Sequence, residues 1–283
     1  MSEGADQRRP PVLSASIVVF HPDLDLLRST LRALAAAIRQ ARETGALSTA
    51  SVLLVDNGSQ DEAVVDALLQ DSLNDAAPVD TITLRGHGNV GYGRGHDLAI
   101  ERSAADYHLV LNPDVVMAPS ALAEGLDYLE RRPDIGLLTP HVVNDRGGRE
   151  FLCKRYPSVG VLALRGFAPA WLRRPFRRRL ERYEMRDLPE HEIAEGVPIA
   201  TGCFMLARRS ALQAVGSFSP DYFLYFEDFD LSLRLHRVAD IAYVPAVRIT
   251  HSGGNAARKG WSHRRMFLRS ALTFFRQHGW KLW

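Results

Sequence analysis

Residues 13–20, LSASIVVF, form a short β-branched run, after which the apolar positions change period. Leu24, Leu27, Leu31 and Leu34 recur at the spacing of one helical face, with Asp23 placed to cap it. The pattern then repeats as an apolar strand at 52–55, a polar turn Asp56-Asn57-Gly58-Ser59 and a second helix. DTITL (80–84), a glycine-rich loop, another helix and YHLVLNPDV (107–115) follow, then a helix over 119–134, a strand over 135–143 and a helix beginning near Asp228. Strands alternating with helices, several of the strands apolar throughout, predict an α/β fold with a mainly parallel central sheet covered by helices on both faces. Ligands of open α/β sheets bind outside the carboxyl ends of the strands, so the turns VDNGS, GNVGYGRG and NPD are expected close together. Residues 145–195, rich in Arg, Pro and Gly with weak periodicity, are expected to form a flexible or acceptor-facing insertion.

Composition narrows the class. With 283 residues and 46% hydrophobic content, the chain has enough apolar material for a sizeable core. Cys153 and Cys203 stand 50 positions apart with no metal-type spacing, which argues against a disulfide framework and a structural zinc site. The first ten residues lack the apolar run of a signal peptide, and no stretch of about 18 uncharged apolar residues reads as a membrane span. A cytoplasmic location is the expectation. The net charge is only +2, yet WLRRPFRRRLERYEMR (171–186) holds seven arginines against two glutamates. Leu172, Phe176, Leu180 and Tyr183 recur there at helical spacing, as in a helix lying on an anionic membrane, although Pro175 opposes one unbroken helix.

Four groups of residues carry candidate chemistry. Asp56 and Asn57, on a turn after a buried strand, suit hydrogen bonding to a base or ribose, and equally an Asx turn with a cap at Ser59 or Asp61. Gly88, Gly91, Gly93 and Gly95 permit close backbone approach, but their spacing is not the dinucleotide fingerprint, and no P-loop occurs. Asn112 and Asp114 are hard oxygen ligands two positions apart, suited to Mg²⁺ or Mn²⁺ with a diphosphate; NPD is also a good type I turn. Glu227, Asp228 and Asp230 crowd three carboxylates behind the aromatic run DYFLYF, where a cap accounts for one of them and a general base for another. His251 suits metal ligation or phosphate contact, with Arg248, Arg258 and Lys259 nearby in sequence, and is otherwise a solvated loop histidine.

In order and spacing, VVF, VDNGS, GNVGYGRG, LNPDV, TGCFMLARR, DYFLYFEDFDLSLR and THSGG resemble the family 2 inverting glycosyltransferases of the GT-A fold, most closely bacterial rhamnosyltransferases of cell-surface polysaccharide synthesis. The resemblance spans residues 14–255. It implies a flexible N-terminus (1–13), a donor half (14–118), an acceptor half (119–255) and a C-terminal amphipathic helical segment (256–283). It further implies that Val19, Phe20 and His21 flank the nucleotide base, that Asp56 and Asn57 hold base or ribose, and that Asn89, Gly91 and Gly95 cover the nucleotide sugar. Asp114, with His251, becomes the metal ligand; Asn112 stands where the family's D-x-D motif has its first acid. Gly202, Cys203 and Asp230 fall on the acceptor side, Asp228 becomes the general base, and Glu227 orients it or the acceptor. GHD (95–97) stands where relatives often have G-N-N.

The implied partners are a nucleotide-sugar donor, best dTDP-L-rhamnose or else a UDP- or GDP-sugar, and a glycan or polyprenyl-linked glycan acceptor at the inner membrane face. A nucleic-acid-binding module built on the arginines is the rival; its charge is local while the acidic motifs point to a crevice, so no nucleic acid is expected as partner.

Overall fold

The computed structural model describes residues 9–76, 78–252 and 261–283. Arg258, Lys259 and the last two residues of THSGG lie outside the described residues. The donor half runs β1 (Val12–Val19), α1 (Leu24–Glu43), β2 (Thr49–Asp56), α2 (Glu62–Leu73), β3 (Val79–Leu84), α3 (Tyr92–Arg102), β4 (Tyr107–Leu111) and β5 (Val115–Met117). Next come α4 (Ala121–Arg131), β6 (Ile135–Asn144), β7 (Arg149–Glu150), β8 (Cys153–Lys154), α5 (Val159–Phe167), α6 (Ala170–Arg173) and α7 (Arg177–Tyr183). The chain ends with β9 (Ala194–Glu195), β10 (Ile199–Ala200), β11 (Phe204–Arg208), α8 (Arg209–Ala214), α9 (Glu227–Leu235), β12 (Asp240–His251) and α10 (Trp261–His278).

The central sheet has the order β3-β2-β1-β4-β11-β6-β12-β5. Its first four strands are parallel, as the βα repeats require, while β11 enters antiparallel between β4 and β6, which in turn pairs parallel with β12. Alternate residues of β1 face opposite layers. Leu13, Ala15, Ile17 and Val19 pack with α1, α2 and α4, and Val18 packs on the α3 side. Gly95 makes that second contact possible, since a Cβ there would stand 2.9 Å from Val18. α1 starts where expected because Asp23 Oδ1 accepts the N–H groups of Asp25 and Leu26. Asp61, not Ser59, caps α2 by accepting from Val64.

Three stretches differ from the expectation. β1 starts at Val12, inside the stretch assigned to the N-terminus, because Val12 and Leu13 pair with Thr49 and Ala50. The 145–195 region is structured: β8 pairs with β10, and α5 and α7 pack with α9 and α10 around Val161, Leu162, Tyr183, Phe226 and Phe274. The C-terminal segment is thereby part of the domain's packing. The arginine-rich stretch is broken by a 3₁₀ turn at Arg174–Phe176, where Pro175 lacks the N–H a continuous helix needs. No helix among the described residues is long and apolar enough to cross a membrane.

Candidate active site

The carboxyl ends of β1, β2 and β4 gather the predicted donor residues. Asn57 N–H donates to Val19 O at 2.9 Å, and Asn57 Nδ2 donates to Gly91 O at 3.0 Å, so one residue ties the β1 end, its own turn and the glycine-rich loop together. Asp56 Oδ1 accepts from Gly58 N (3.0 Å) and Ser59 N (2.7 Å), while Oδ2 accepts from Arg85 Nε at 3.0 Å. Burial works to raise the Asp56 pKa, but Ser59, Arg85 and Gly58 outweigh it and hold the carboxyl below its usual range. Arg85 also reaches Asp66 at 2.7 Å, which makes it the clamp of this turn. Phe20 is 54% exposed although it ends a core strand, and its ring lies over Gly58 and 4.2 Å from the His21 ring. That leaves an aromatic face open to a base beside the Asp56 turn.

Gly91 caps α3 with φ of +89°, and a Cβ there would stand 2.3 Å from Phe223 O, the oxygen that accepts the Tyr92 N–H. Glycine is therefore required by both conformation and space. Asn89 Oδ1 accepts from Gly91 N at 3.1 Å and so braces the loop itself. His96 and Asp97 turn inward: His96 Nδ1 lies 2.6 Å from Ser16 Oγ, which lies 2.7 Å from His108 Nε2, all fully buried, and Asp97 accepts from Phe218 N. The GHD residues thus hold α3 on the sheet.

The acidic helix α9 follows two consecutive residues with positive φ, Tyr225 (72°) and Phe226 (69°), a conformation costly for aromatic side chains. Their rings pack against α10, which holds the strained turn in place. The turn delivers the three acids to different surroundings. Asp230 is buried between Arg234 (2.6 Å) and His278 Nε2 (2.8 Å), so this residue, expected on the acceptor side, anchors α9 and α10 instead. Asp228 lines a cavity of about 630 Å³; its Oδ2 accepts from Gly202 N and its Oδ1 from Phe229 N, each at 2.9 Å. Glu227 is buried beside it, with Oε2 lacking any hydrogen-bond partner, as does Thr201 Oγ1 in the same wall. Burial, then the Asp228 charge, pushes the Glu227 carboxyl well above its ordinary range. Burial also raises Asp228, but backbone N–H groups, Gly202 foremost, oppose this and leave it ionisable near neutrality.

Tyr92 connects the two halves. Its hydroxyl donates to Asn112 Oδ1 at 2.9 Å and also lies against the carbonyl of Gly202. Asn112 N–H in turn donates to the carbonyl of Cys203, whose thiol burial pushes well up and keeps protonated. Gly202 leaves room for this arrangement, since a Cβ would come 3.2 Å from the Tyr92 ring.

Asp114 and His251 meet through β5 and β12, which pair antiparallel. His251 Nε2 lies 3.5 Å from Asp114 Oδ1, and that buried oxygen has no hydrogen-bond partner. His251 Nδ1 lies 3.2 Å from Glu150 Oε2, a second carboxylate that fixes the ring. Burial lowers the imidazole's pKa, but Asp114 and Glu150 outweigh it, and the net shift is upward. An orphaned carboxylate oxygen facing an imidazole nitrogen fits a divalent cation whose remaining ligands are diphosphate and water. The described residues hold no cluster of three or more His, Cys, Asp or Glu arranged for a metal, and Asn112 is engaged by Tyr92. His251 ends β12 instead of standing in a solvated loop.

Sequence reasoning missed four residues of this region. Arg85, directly after β3, and Tyr92, inside the glycine loop, had positional signals. Glu150 and Lys154 had none, because they sit in the stretch without periodicity.

The chain is 32% identical over 250 residues, 81% of its length and 76% of the relative, to an N-acetylglucosaminyl-diphospho-decaprenol L-rhamnosyltransferase of Mycobacterium tuberculosis (strain CDC 1551 / Oshkosh). It is 25% identical over 199 residues, 66% of the chain and 70% of the relative, to rhamnosyltransferase WbbL of Escherichia coli (strain K12). Among solved structures, GalNAc-T7 with UDP, GalNAc and Mn²⁺ superposes with a TM-score of 0.59 over 86% of this chain at 15% identity. S. aureus TarS does so with 0.56 over 93% at 14% identity. The chain spans only 43% and 39% of those two, which show the GT-A fold alone. The glycosyl transferase family 2 model matches residues 17–216, and the chain belongs to that family of glycosyltransferases.

Proposed function

We propose that this chain moves L-rhamnose from dTDP-L-rhamnose, with inversion, onto an N-acetylglucosamine carried by a polyprenyl diphosphate. The named activity of the mycobacterial relative supports the choice of sugar and acceptor. The observation that carries the reading is Asp228, fixed by two backbone N–H groups on the wall of a cavity where Glu227 and Thr201 hold unpartnered oxygens.

The chemistry is a single displacement. An acceptor hydroxyl in the cavity passes its proton to Asp228 as its oxygen bonds to the anomeric carbon, and the bond from that carbon to the nucleoside diphosphate breaks. Attack from the face opposite the leaving group inverts the configuration. Glu227, buried beside Asp228 with an unpartnered oxygen, orients the acceptor and leaves Asp228 as the base. Phe20 and the Asp56 turn seat the nucleotide, while Asn57 and Gly91 close the loop over the sugar. A divalent cation held by Asp114 and His251 would neutralise charge developing on the diphosphate.

The proposed location of the reaction is the cytoplasmic membrane face. Arg178, Arg179, Arg182 and Lys281 border a depression of about 410 Å³, and Leu282 beyond it is 72% exposed. Cations beside exposed apolar side chains suit a peripheral contact with anionic lipid. Sedimentation with phosphatidylglycerol vesicles, but not with phosphatidylcholine vesicles, is expected.

The test is transfer by the purified chain from dTDP-L-rhamnose, UDP- and GDP-sugars to N-acetylglucosaminyl diphosphate lipid, with the anomeric configuration of the product read by NMR. Rhamnosyl product from the dTDP donor alone is expected. Transfer from only a UDP- or GDP-sugar would replace the donor; none from any would sink the reading. Asp228→Asn is expected to lower kcat by roughly 10²- to 10⁴-fold with dTDP binding unchanged.

A further inference from the structure

Lys154 is a buried cation whose charge helps to lower the Asp228 pKa but for which the fold supplies no ion-pair partner among the described residues. It lies on β8, held by pairing with Ile199 of β10, two residues before the Thr201-Gly202 turn that grips Asp228. The side chain is 6% exposed and lines the Asp228 cavity. Its ammonium donates to the carbonyl of Phe151 and has no carboxylate within ion-pair distance among the described residues. An ammonium has three donors, and burying one with a single neutral acceptor is costly unless an anion completes its shell.

The neighbours sharpen the point. Arg165 and Arg186 line the same wall, and both pair with one carboxylate, Glu184, at 3.0 and 2.8 Å. Arg165 and Arg186 therefore divide one carboxylate between them, and Lys154 has no ion-pair partner among the described residues. The other arginine of the wall, Arg149, is spent on the carbonyls of Leu188 and Pro189 and the hydroxyl of Tyr243. Burial, followed by the Arg165 charge, lowers the Lys154 pKa to about 8, which leaves it protonated at neutral pH. The same cavity is lined by Glu227 and Asp228, so a candidate base and a cation without an ion-pair partner face one space.

We propose that Lys154, with Arg165 and Arg186 beside it, binds the diphosphate of the acceptor, so that this chain reads the phosphates as well as the sugar they carry. The acceptor's attacked hydroxyl and its diphosphate are attached to the same pyranose ring, and one cavity is lined by both Asp228 and the cations. Lys154 lies on β8, which pairs with β10, and Thr201 and Gly202 follow β10 directly, so seating the diphosphate also fixes the distance from the sugar to Asp228. The inference rests on the reading above for the nature of the acceptor.

Two measurements test it. The first is calorimetric titration of farnesyl diphosphate, with farnesyl monophosphate and farnesol as comparisons, into the full chain whose donor site is filled with dTDP. Wild type is expected to prefer the diphosphate. Lys154→Gln is expected to lose roughly 10- to 100-fold in that affinity, Lys154→Arg to retain most of it, and dTDP binding to stay unchanged in both as proof of folding. Equal affinity of wild type and Lys154→Gln, or equal binding of monophosphate and diphosphate, would overturn the assignment.

The second compares transfer to farnesyl-diphosphate-linked N-acetylglucosamine and to the same sugar on farnesyl without phosphate. Lys154→Gln is expected to raise KM for the phosphorylated acceptor roughly 10-fold more than for the neutral one, and any change common to both acceptors reflects the lysine's effect on Asp228. A matching loss on both acceptors would make Lys154 a structural residue and refute the proposal. Absence of transfer by wild type to either acceptor would refute the functional reading, while the binding arm would still decide whether the cavity holds a diphosphate.

Discussion

The backbone N–H of Gly202 donates a 2.9 Å hydrogen bond to Oδ2 of Asp228, across 26 positions of sequence. On the far side of Gly202, its carbonyl lies against the Tyr92 hydroxyl, which also bonds Asn112 in the donor half. One glycine thus couples the base to the turn that precedes Asp114.

Tyr92→Phe removes that coupling without changing the ring's packing against His96 and Phe218. The loss of a partly buried hydrogen bond is expected to cost about 1 kcal/mol of stability. A drop in kcat larger than the drop in acceptor affinity, roughly 10-fold, is expected because Asn112 and Gly202 lose their common tie. Identical kinetics in the two proteins would show that the halves are aligned by other contacts.

Asp228 acts as a base only when ionised, and its pKa is pushed up to about 6, mainly by burial. Activity is therefore expected to rise as the pH passes upward through about 6 and to level off above 7. The pH profile of kcat under saturating substrates checks this; a flat profile between pH 5 and 8 would remove the assignment.

Asp114→Ala takes away the orphaned carboxylate opposite His251. Nucleoside diphosphate affinity measured with Mn²⁺ is expected to fall roughly 10-fold, the scale of one charge-assisted contact, and affinity in EDTA to stay the same. Equal affinities for both proteins in Mn²⁺ would place the cation elsewhere.

Asp97 offers a stability test away from the chemistry. Burial is the main cause that raises its pKa to about 7, against the Phe218 N–H and Arg94. The folded protein thus keeps a proton that the unfolded chain loses in the ordinary carboxylate range, and stability through this group falls as the pH rises from about 4 towards 7. Asp97→Asn cannot ionise and retains an acceptor for Phe218 N. It is expected to raise Tm at pH 8 and leave it nearly unchanged at pH 4, by about 2–4 °C for each kcal/mol recovered. An equal shift at both pH values would mean that packing, not charge, is responsible.

Local rules were enough for much of this molecule. The period change after Phe20 and the Asp23 cap determined β1 and α1, and the same kind of alternation determined the parallel sheet half and the convergence of the Asp56, Gly91 and Asn112 turns. These features depend on residues a few positions apart, so a linear reading captures them. The order and spacing of the motifs also carried the family. Tertiary structure alone decided the surroundings of each acid: Asp228 and Asp230 stand two residues apart on α9, yet one meets Gly202 in a cavity and the other is held by Arg234 and His278. It also decided that Glu150 meets His251 and that Lys154 shares a cavity with Asp228. Apart from Arg234, one turn along α9, the hydrogen-bond partners in these pairings are 26 to 101 positions away, brought together by sheet order and by the packing of α5, α7 and α10, and no local periodicity records them.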